Sequence, residues 1–170
     1  EVFSKRLADI RRRGLPAYRR RLGLVFQDHR LLVDRNAYDN VALPMRLDGV
    51  AESDITPRVL SALEQVGLGG RERALPAELS TGEQQRLGIA RALAGSPDLI
   101  LADEPTGNLD PKLAAEIMHL FVSVKEQGTT VIVASHDLPL IQRMKRRTLV
   151  LDRGRLIDDF RPEEWYARGG

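Results

Sequence analysis

The apolar run Leu99-Ile100-Leu101-Ala102 is followed at once by two acids, Asp103 and Glu104. A buried strand of a parallel sheet delivers the residues after it to the crevice at its C-terminal end, where α/β proteins hold ligands. In that position Asp103 suits a Mg²⁺ ion held through water, and Glu104 can orient and polarise an attacking water. The plainer reading is a strand that ends in two solvated acids. Ser80-Thr81-Gly82-Glu83 opens a helical segment. Free N–H groups and the positive end of the dipole make such a mouth suitable for phosphate, and Gly82 would let a ligand approach the backbone. The same four residues also spell the S-x-x-E capping box, which needs no ligand. His136 follows Ala134-Ser135 and could donate from a strand end to a γ-phosphate, although a histidine there can equally be structural. Gln27 closes a further strand with a neutral amide, which could ligate Mg²⁺ or position water but by itself says little.

These groups need a sheet to line them up. Arg21–Phe26 reads as a strand, as do the short apolar run 98–103 and the β-branched run Thr129–Ala134. Between them, a helix is predicted from about Thr81 to Ala94, with Gly95 behind it. Another starts at Asp110-Pro111, an N-cap followed by a first-turn proline. Its buried stripe is Leu113, Ile117, Phe121 and Val124, and Gly128 closes it. The alternation of strand and helix predicts an α/β fold with a parallel sheet. Upstream, Ile55, Val59, Leu63 and Val66 share one face of a helix over 53–66 that Gly67 ends. A shorter helical piece near Asn40–Leu47 is expected to be interrupted or bent at Pro44. Downstream, a short helix over 138–145 precedes two strands, Thr148–Leu151 and Arg155–Asp158, around Arg153-Gly154, and a helical turn at Glu163–Ala167. The mostly helical middle, about 28–95, is expected to form a subdomain between two parts of an α/β core, about 1–27 and 96–170.

With 170 residues the chain can bury one proper core, and 42% apolar with 29% charged residues is the balance of an ordinary globular chain. No apolar run approaches the ~20 residues of a spanning helix, and no apolar signal region opens the chain. The absence of cysteine excludes disulfides and thiolate metal sites and fits a cytoplasmic protein. Net charge is +2, yet residues 1–35 hold ten Lys/Arg against four acids. Such a stretch is either a solvated basic face or one that lies near an anionic surface.

Taken together and in order, these segments resemble the ATP-binding cassette (ABC) ATPases. Gln27 matches the family's Q-loop, Leu79–Arg86 (LSTGEQQR) its signature, Leu99–Pro105 (LILADEP) its Walker B, Thr106–Asp110 (TGNLD) its D-loop and His136 its H-loop. Within the family, FQDH (26–29), Leu-Leu-x-Asp-Arg (31–35) and YDNVALP (38–44) look like the cell-division branch. The resemblance implies a P-loop NTPase-like parallel sheet with an inserted helical subdomain, ATP and Mg²⁺ as ligands, and ATP hydrolysis. It implies a homodimer that sandwiches two ATP molecules. Ser80, Thr81, Gly82 and Glu83 would face the phosphates bound by the other copy, and Asp110 would link the two sites. Asp103 and Gln27 would serve Mg²⁺, Glu104 the water and His136 the γ-phosphate. It further implies an integral membrane partner beside the helical lobe, peripheral attachment at the cytoplasmic face of the cell membrane, and no nucleic acid.

Two departures stand out. No G-x-x-x-x-G-K-[ST] occurs, and only 26 residues precede Gln27. The expectation is therefore an N-terminally truncated cassette that binds ATP poorly and exposes apolar surface where opening strands would pack. Thr81 also stands where the signature has glycine, which should tune the site without abolishing it. An exporter ATPase of the lipoprotein-release or macrolide type is the alternative within the family. A chromosome-type head is disfavoured, because the 51 residues between Gln27 and Leu79 leave no room for a coiled coil. For a chain that lacks the P-loop, a non-catalytic interaction module is the other reading.

Overall fold

The computed structural model describes residues 2, 3, 6 and 9–167. A 3-10 turn at Arg12–Gly14 leads into α1 (Leu15–Arg19), whose proline stands in the first turn. β1 (Leu22–Phe26) follows. Next come α2 (Ala37–Leu47), α3 (Glu52–Gln65) and α4 (Thr81–Leu93). The remainder alternates: β2 (Leu99–Asp103), α5 (Pro111–Glu126), β3 (Thr130–Ala134) and α6 (Leu138–Met144), then β4 (Thr148–Asp152), β5 (Arg155–Phe160) and α7 (Pro162–Ala167).

β1, β2 and β3 form one parallel sheet in that order, with Phe26, Asp103 and Ala134 side by side at its C-terminal edge. β4 and β5 form a separate antiparallel hairpin. The α/β architecture inferred from strand-helix alternation is thus present, with strand limits within a residue or two of those expected.

α2 differs from expectation. It starts three residues earlier, at Ala37, and runs through Pro44 without a break. Asn36 caps it by accepting the Asp39 N–H at 2.8 Å. Ala37, Val41, Ala42 and Met45 are fully buried along one face, and this burial outweighs the backbone bond lost at the proline. Buried Asn40 ties the preceding loop to this helix. It accepts from Leu32 N–H and donates to the carbonyls of Leu32, Arg35 and Asn36. The five-residue α1 was not anticipated, since Leu15–Arg19 is too short to show an apolar period.

One face of the sheet is covered. Val25, Ile100 and Ala102 are buried beside Leu87, Ile89 and Ala90 of α4 and Ile117, Phe121 and Val124 of α5, in a cluster that continues into α2 and α3. β1 crosses α4 so closely that a side chain at Gly23 would lie 2.8 Å from the Ala92 carbonyl. The opposite face is partly open. Leu24, Leu101 and Ile132 form one lateral row in register, and they are 45%, 36% and 54% exposed. Strand pleating places alternate residues on opposite faces, so this row shares its face with the buried Leu99 and is the apolar part of that face left open among the described residues. This is the exposed apolar surface that the sequence led us to expect.

Candidate functional site

The chemistry-bearing residues gather at the C-terminal edge of the sheet. One step beyond the last registered row, Gln27 and Glu104 leave adjacent strands. The Glu104 N–H donates to the Ala134 carbonyl at 2.9 Å, which extends the β2–β3 pairing by one bond. Glu104 itself lies in the left-handed region, with φ 46°. Such a conformation in a side-chain-bearing residue costs about 1–3 kcal/mol and recurs at functional turns. His136 Nδ1 donates to Glu104 Oε1 at 2.7 Å. The Glu104 carboxylate is mostly shielded while the imidazole is largely open to solvent. This hydrogen bond, and then the charge of the carboxylate, raise the His136 pKa above the ordinary histidine value.

Asp103 ends β2 with its side chain exposed. Gln27 folds toward the turn after Glu104: a side chain at Gly107 would come within 2.9 Å of the Gln27 amide nitrogen. Gly107 N–H in turn donates to the Glu104 carbonyl at 3.2 Å. The bare Cα of Gly107 is therefore what lets the glutamine lie beside the acid turn. Carboxylate and amide oxygens at neighbouring strand ends are the hard donors that Mg²⁺ takes, and this ion usually needs only one or two protein ligands. The residues present fit it.

Ser80–Glu83 is placed differently. The capping box is complete. The Ser80 N–H donates to Glu83 Oε2 at 2.8 Å, the Ser80 hydroxyl donates to the same oxygen at 2.9 Å, and the Glu83 N–H returns to Ser80 Oγ at 3.3 Å. These bonds, that of the Ser80 backbone first, hold the Glu83 carboxyl below the usual carboxylate range. Arg71 reaches the other Glu83 oxygen at 3.1 Å. Gly82 is buried, and a side chain there would strike Leu113 in the first turn of α5. The small residue thus already has a packing reason within the chain. Thr81 and Gly82 are the first residues of α4, so their N–H groups have no intrahelical acceptor. Asp110 caps α5 by accepting from Lys112 and Leu113 N–H at 3.0 and 3.1 Å. Among the described residues, no hydrogen bond or ion pair links Ser80–Glu83 or Asp110 to Gln27, Asp103, Glu104 or His136. The candidate residues therefore fall into two groups, one at the sheet edge and one where α4 and α5 begin.

Sequence reasoning missed a third set. Gln85, Gly88 and Arg91 follow one another at i, i+3 and i+6 along α4, and all three meet the turn that follows Gln27. The His29 ring is hydrogen-bonded to the buried Gln85 side chain. Gly88 lies 3.7 Å, measured from an added Cβ, from the His29 carbonyl. Arg91 donates to the carbonyls of His29 and Arg30 at 2.7 and 2.6 Å. Both loop residues are left-handed, with φ 57° and 47°. Burial lowers the Arg91 pKa from its usual value, though guanidinium stays charged in proteins. A mid-helix glycine between polar residues three apart was the one available signal.

The chain is similar to known proteins in sequence and in fold. The ABC transporter family profile matches residues 4–107. The cell division ATP-binding protein FtsE of Escherichia coli (strain K12) is 48% identical over 147 residues, which is 86% of this chain and 66% of that protein. The protein of the same name from Mycobacterium tuberculosis is 46% identical over 150 residues, 88% of this chain and 65% of its own length. The solved structure of cbiO1 from Clostridium perfringens, described as part of the ABC transporter complex cbiONQ, superposes with a TM-score of 0.85 at 33% identity, covering 94% of this chain and 64% of that one. The ATP-binding cassette MJ0796, solved as a dimer bound to ADP and Pi, gives 0.78 at 34% identity over 91% of this chain and 68% of its own. The chain thus spans roughly two thirds of the length of these relatives. On the matched profile, the identities and the shared fold, the chain belongs to the ABC transporter family.

Proposed function

We propose that this chain is part of the ATP-binding and ATP-hydrolysing subunit of an ABC-type membrane complex acting in cell division, paired with an FtsX-like integral membrane protein. The observation that carries the reading is the sheet edge, where a shielded Glu104 is hydrogen-bonded to His136 beside Asp103 and Gln27. Glu104 orients the attacking water and accepts its proton. His136 holds that carboxylate with one ring nitrogen and leaves its exposed side to donate toward a γ-phosphate oxygen. Asp103 and Gln27 hold Mg²⁺, which when bound supplies neutralisation of the phosphate charge. Two copies meet head to tail, so that the first N–H groups of α4 at Thr81 and Gly82, with Ser80 and Glu83, face the phosphates held by the other copy and Asp110 connects the two sites. The names of the FtsE relatives support the cell-division role, and the dimeric cassette supports the pairing.

Residues 28–95 act in this reading as a lever that carries closure to the membrane partner, with the subunit bound peripherally at the cytoplasmic face of the cell membrane. No helix among the described residues is long and apolar enough to cross a membrane. The 170-residue sequence contains no phosphate-cradling G-x-x-x-x-G-K-[ST], so by itself it binds ATP weakly and does not turn it over. In the full-length protein a segment bearing that loop covers the row Leu24, Leu101 and Ile132.

The test is Glu104→Gln in the full-length protein. Removing a general base lowers the rate by about 10²–10⁴-fold, and the variant should accumulate as an ATP-loaded dimer by size-exclusion chromatography. Turnover at the wild-type rate would refute the role of Glu104. Loss of turnover without an ATP-loaded dimer would refute the pairing.

A further inference from the structure

We infer that Arg91, seconded by Gln85, is a positioning residue that sets the Gln27 side chain by latching the turn 28–30 onto α4, the helix whose first turn is the signature segment. The inference rests on the proposed ATPase reading for what the latch serves, but the latch itself is geometric.

Three observations lead to it. Arg91 is partly buried, and among the described residues its guanidinium pairs with no acid; its hydrogen-bond partners are the carbonyls of His29 and Arg30. A shielded cation held only by two carbonyls ties them firmly, because either one, if released, leaves uncompensated charge. The two carbonyls belong to consecutive left-handed residues that carry side chains, a conformation that persists only where the surroundings impose it. The third is Gln85: it is 1% exposed, its Nε2 has no partner, and its amide is engaged only through its oxygen with the His29 ring. The rest of the turn is held locally and in solvent, by Arg30 over the Phe26 ring and against Asp28. Its own backbone bonds run from the His29 N–H to the Phe26 carbonyl at 3.2 Å and from the Arg30 N–H to the Asp28 carbonyl at 2.6 Å, and the grip on the His29 and Arg30 carbonyls from outside the turn comes from α4.

The turn begins one residue after Gln27, whose amide already lies against Gly107 in the turn that follows Glu104. Relaxation of His29 and Arg30 to ordinary angles would redirect the chain at Gln27 and withdraw the amide from the acid edge. α4 thus holds two things at once: the phosphate-facing helix mouth and, through its row at 85, 88 and 91, the placement of Gln27. Lysine cannot replace Arg91, since a single ammonium lacks the planar fork that meets two carbonyls together.

The experiment uses the full-length protein with Arg91→Lys, alone and combined with Arg30→Gly. Hydrogen exchange is read at residues 27–31, and kcat and KM for MgATP are measured alongside. In Arg91→Lys, amide protection at 28–31 should fall at least about tenfold while that of β1, β2 and α4 is kept, and kcat should fall about tenfold or more with KM nearly unchanged. Arg30→Gly, which tolerates a positive φ, should restore part of both. Unchanged protection at 28–31, a loss spread over the whole core, reduced protection with normal kcat, or no rescue by Arg30→Gly would each overturn the latch. Should wild-type protein fail to hydrolyse ATP, the ATPase reading falls while the exchange arm still decides whether Arg91 holds the turn.

Discussion

Glu104 and His136 meet because each lies just past its strand, on neighbours that are in register to the last residue. The carboxylate raises the imidazole pKa, so the sign of the pH effect is set. The charged pair is fully formed below the ordinary histidine value of about 6.5 and is lost as pH rises through the higher folded value. An NMR titration of the His136 ring should therefore report a midpoint above that of a free histidine. In Glu104→Gln the midpoint should move back down; a midpoint indifferent to residue 104 would show that the hydrogen bond is not formed in solution. Asn40 makes a second prediction at this scale. Its side chain satisfies four backbone groups of the loop 32–36, and it is fully buried. Asn40→Leu should cost about 3 kcal/mol or more in chemical denaturation, because partners left unpaired in the interior each carry a penalty of about 1–3 kcal/mol.

At the scale of elements, α4 carries most of the design. Its cap closes with Ser80 and Glu83, its middle packs on β1 and β2, and its third row holds the turn after Gln27. Ser80→Ala should lower stability by about 1 kcal/mol through the lost cap. Glu83 has a depressed pKa, so its contribution is present above the ordinary glutamate value and fades as pH falls through the lower folded one. The difference in melting temperature between wild type and Glu83→Gln should accordingly shrink on acidification. A constant difference from neutral pH down to strongly acid conditions would argue that the carboxylate is not what closes the cap. α2 teaches the complementary lesson: a proline in mid-helix is tolerated where one face is fully buried.

At the scale of the whole molecule, the sheet is half clothed. α4 and α5 cover one face, and the row Leu24, Leu101 and Ile132 stands open on the other. Further apolar side chains, Leu149, Leu151, Leu156 and Ile157, are exposed on the hairpin of β4 and β5. Patches of this kind are uncommon on monomeric soluble proteins and favour association. The 170-residue chain expressed alone should bind a hydrophobic dye strongly and sediment above its monomer mass of 19.0 kDa. Leu101→Thr should reduce both signals while leaving the far-UV circular dichroism intact. A monodisperse monomer with little dye binding would mean that the face closes on itself.

Much of this was legible in the residues. Strands ending at Phe26, Asp103 and Ala134 and helices opening at Ser80 and Asp110 followed from local pattern, because caps, turn residues and apolar periods act within a few positions of the chain. Gln27, Asp103, Glu104 and His136, by contrast, were singled out by the resemblance of the ordered motifs to the ABC ATPases, their types alone leaving structural readings open. Three matters required the fold. The passage of α2 through Pro44 depends on burial against α3 and α4. The division of the candidate residues into a sheet-edge group and a helix-mouth group depends on register and on Leu113 meeting Gly82. The grip of Arg91 on His29 and Arg30 joins residues about sixty positions apart, through carbonyl groups that every residue has, so no side-chain pattern could announce it. Local order is written in side-chain types, whereas contacts between distant backbone groups exist only once packing has brought the segments together.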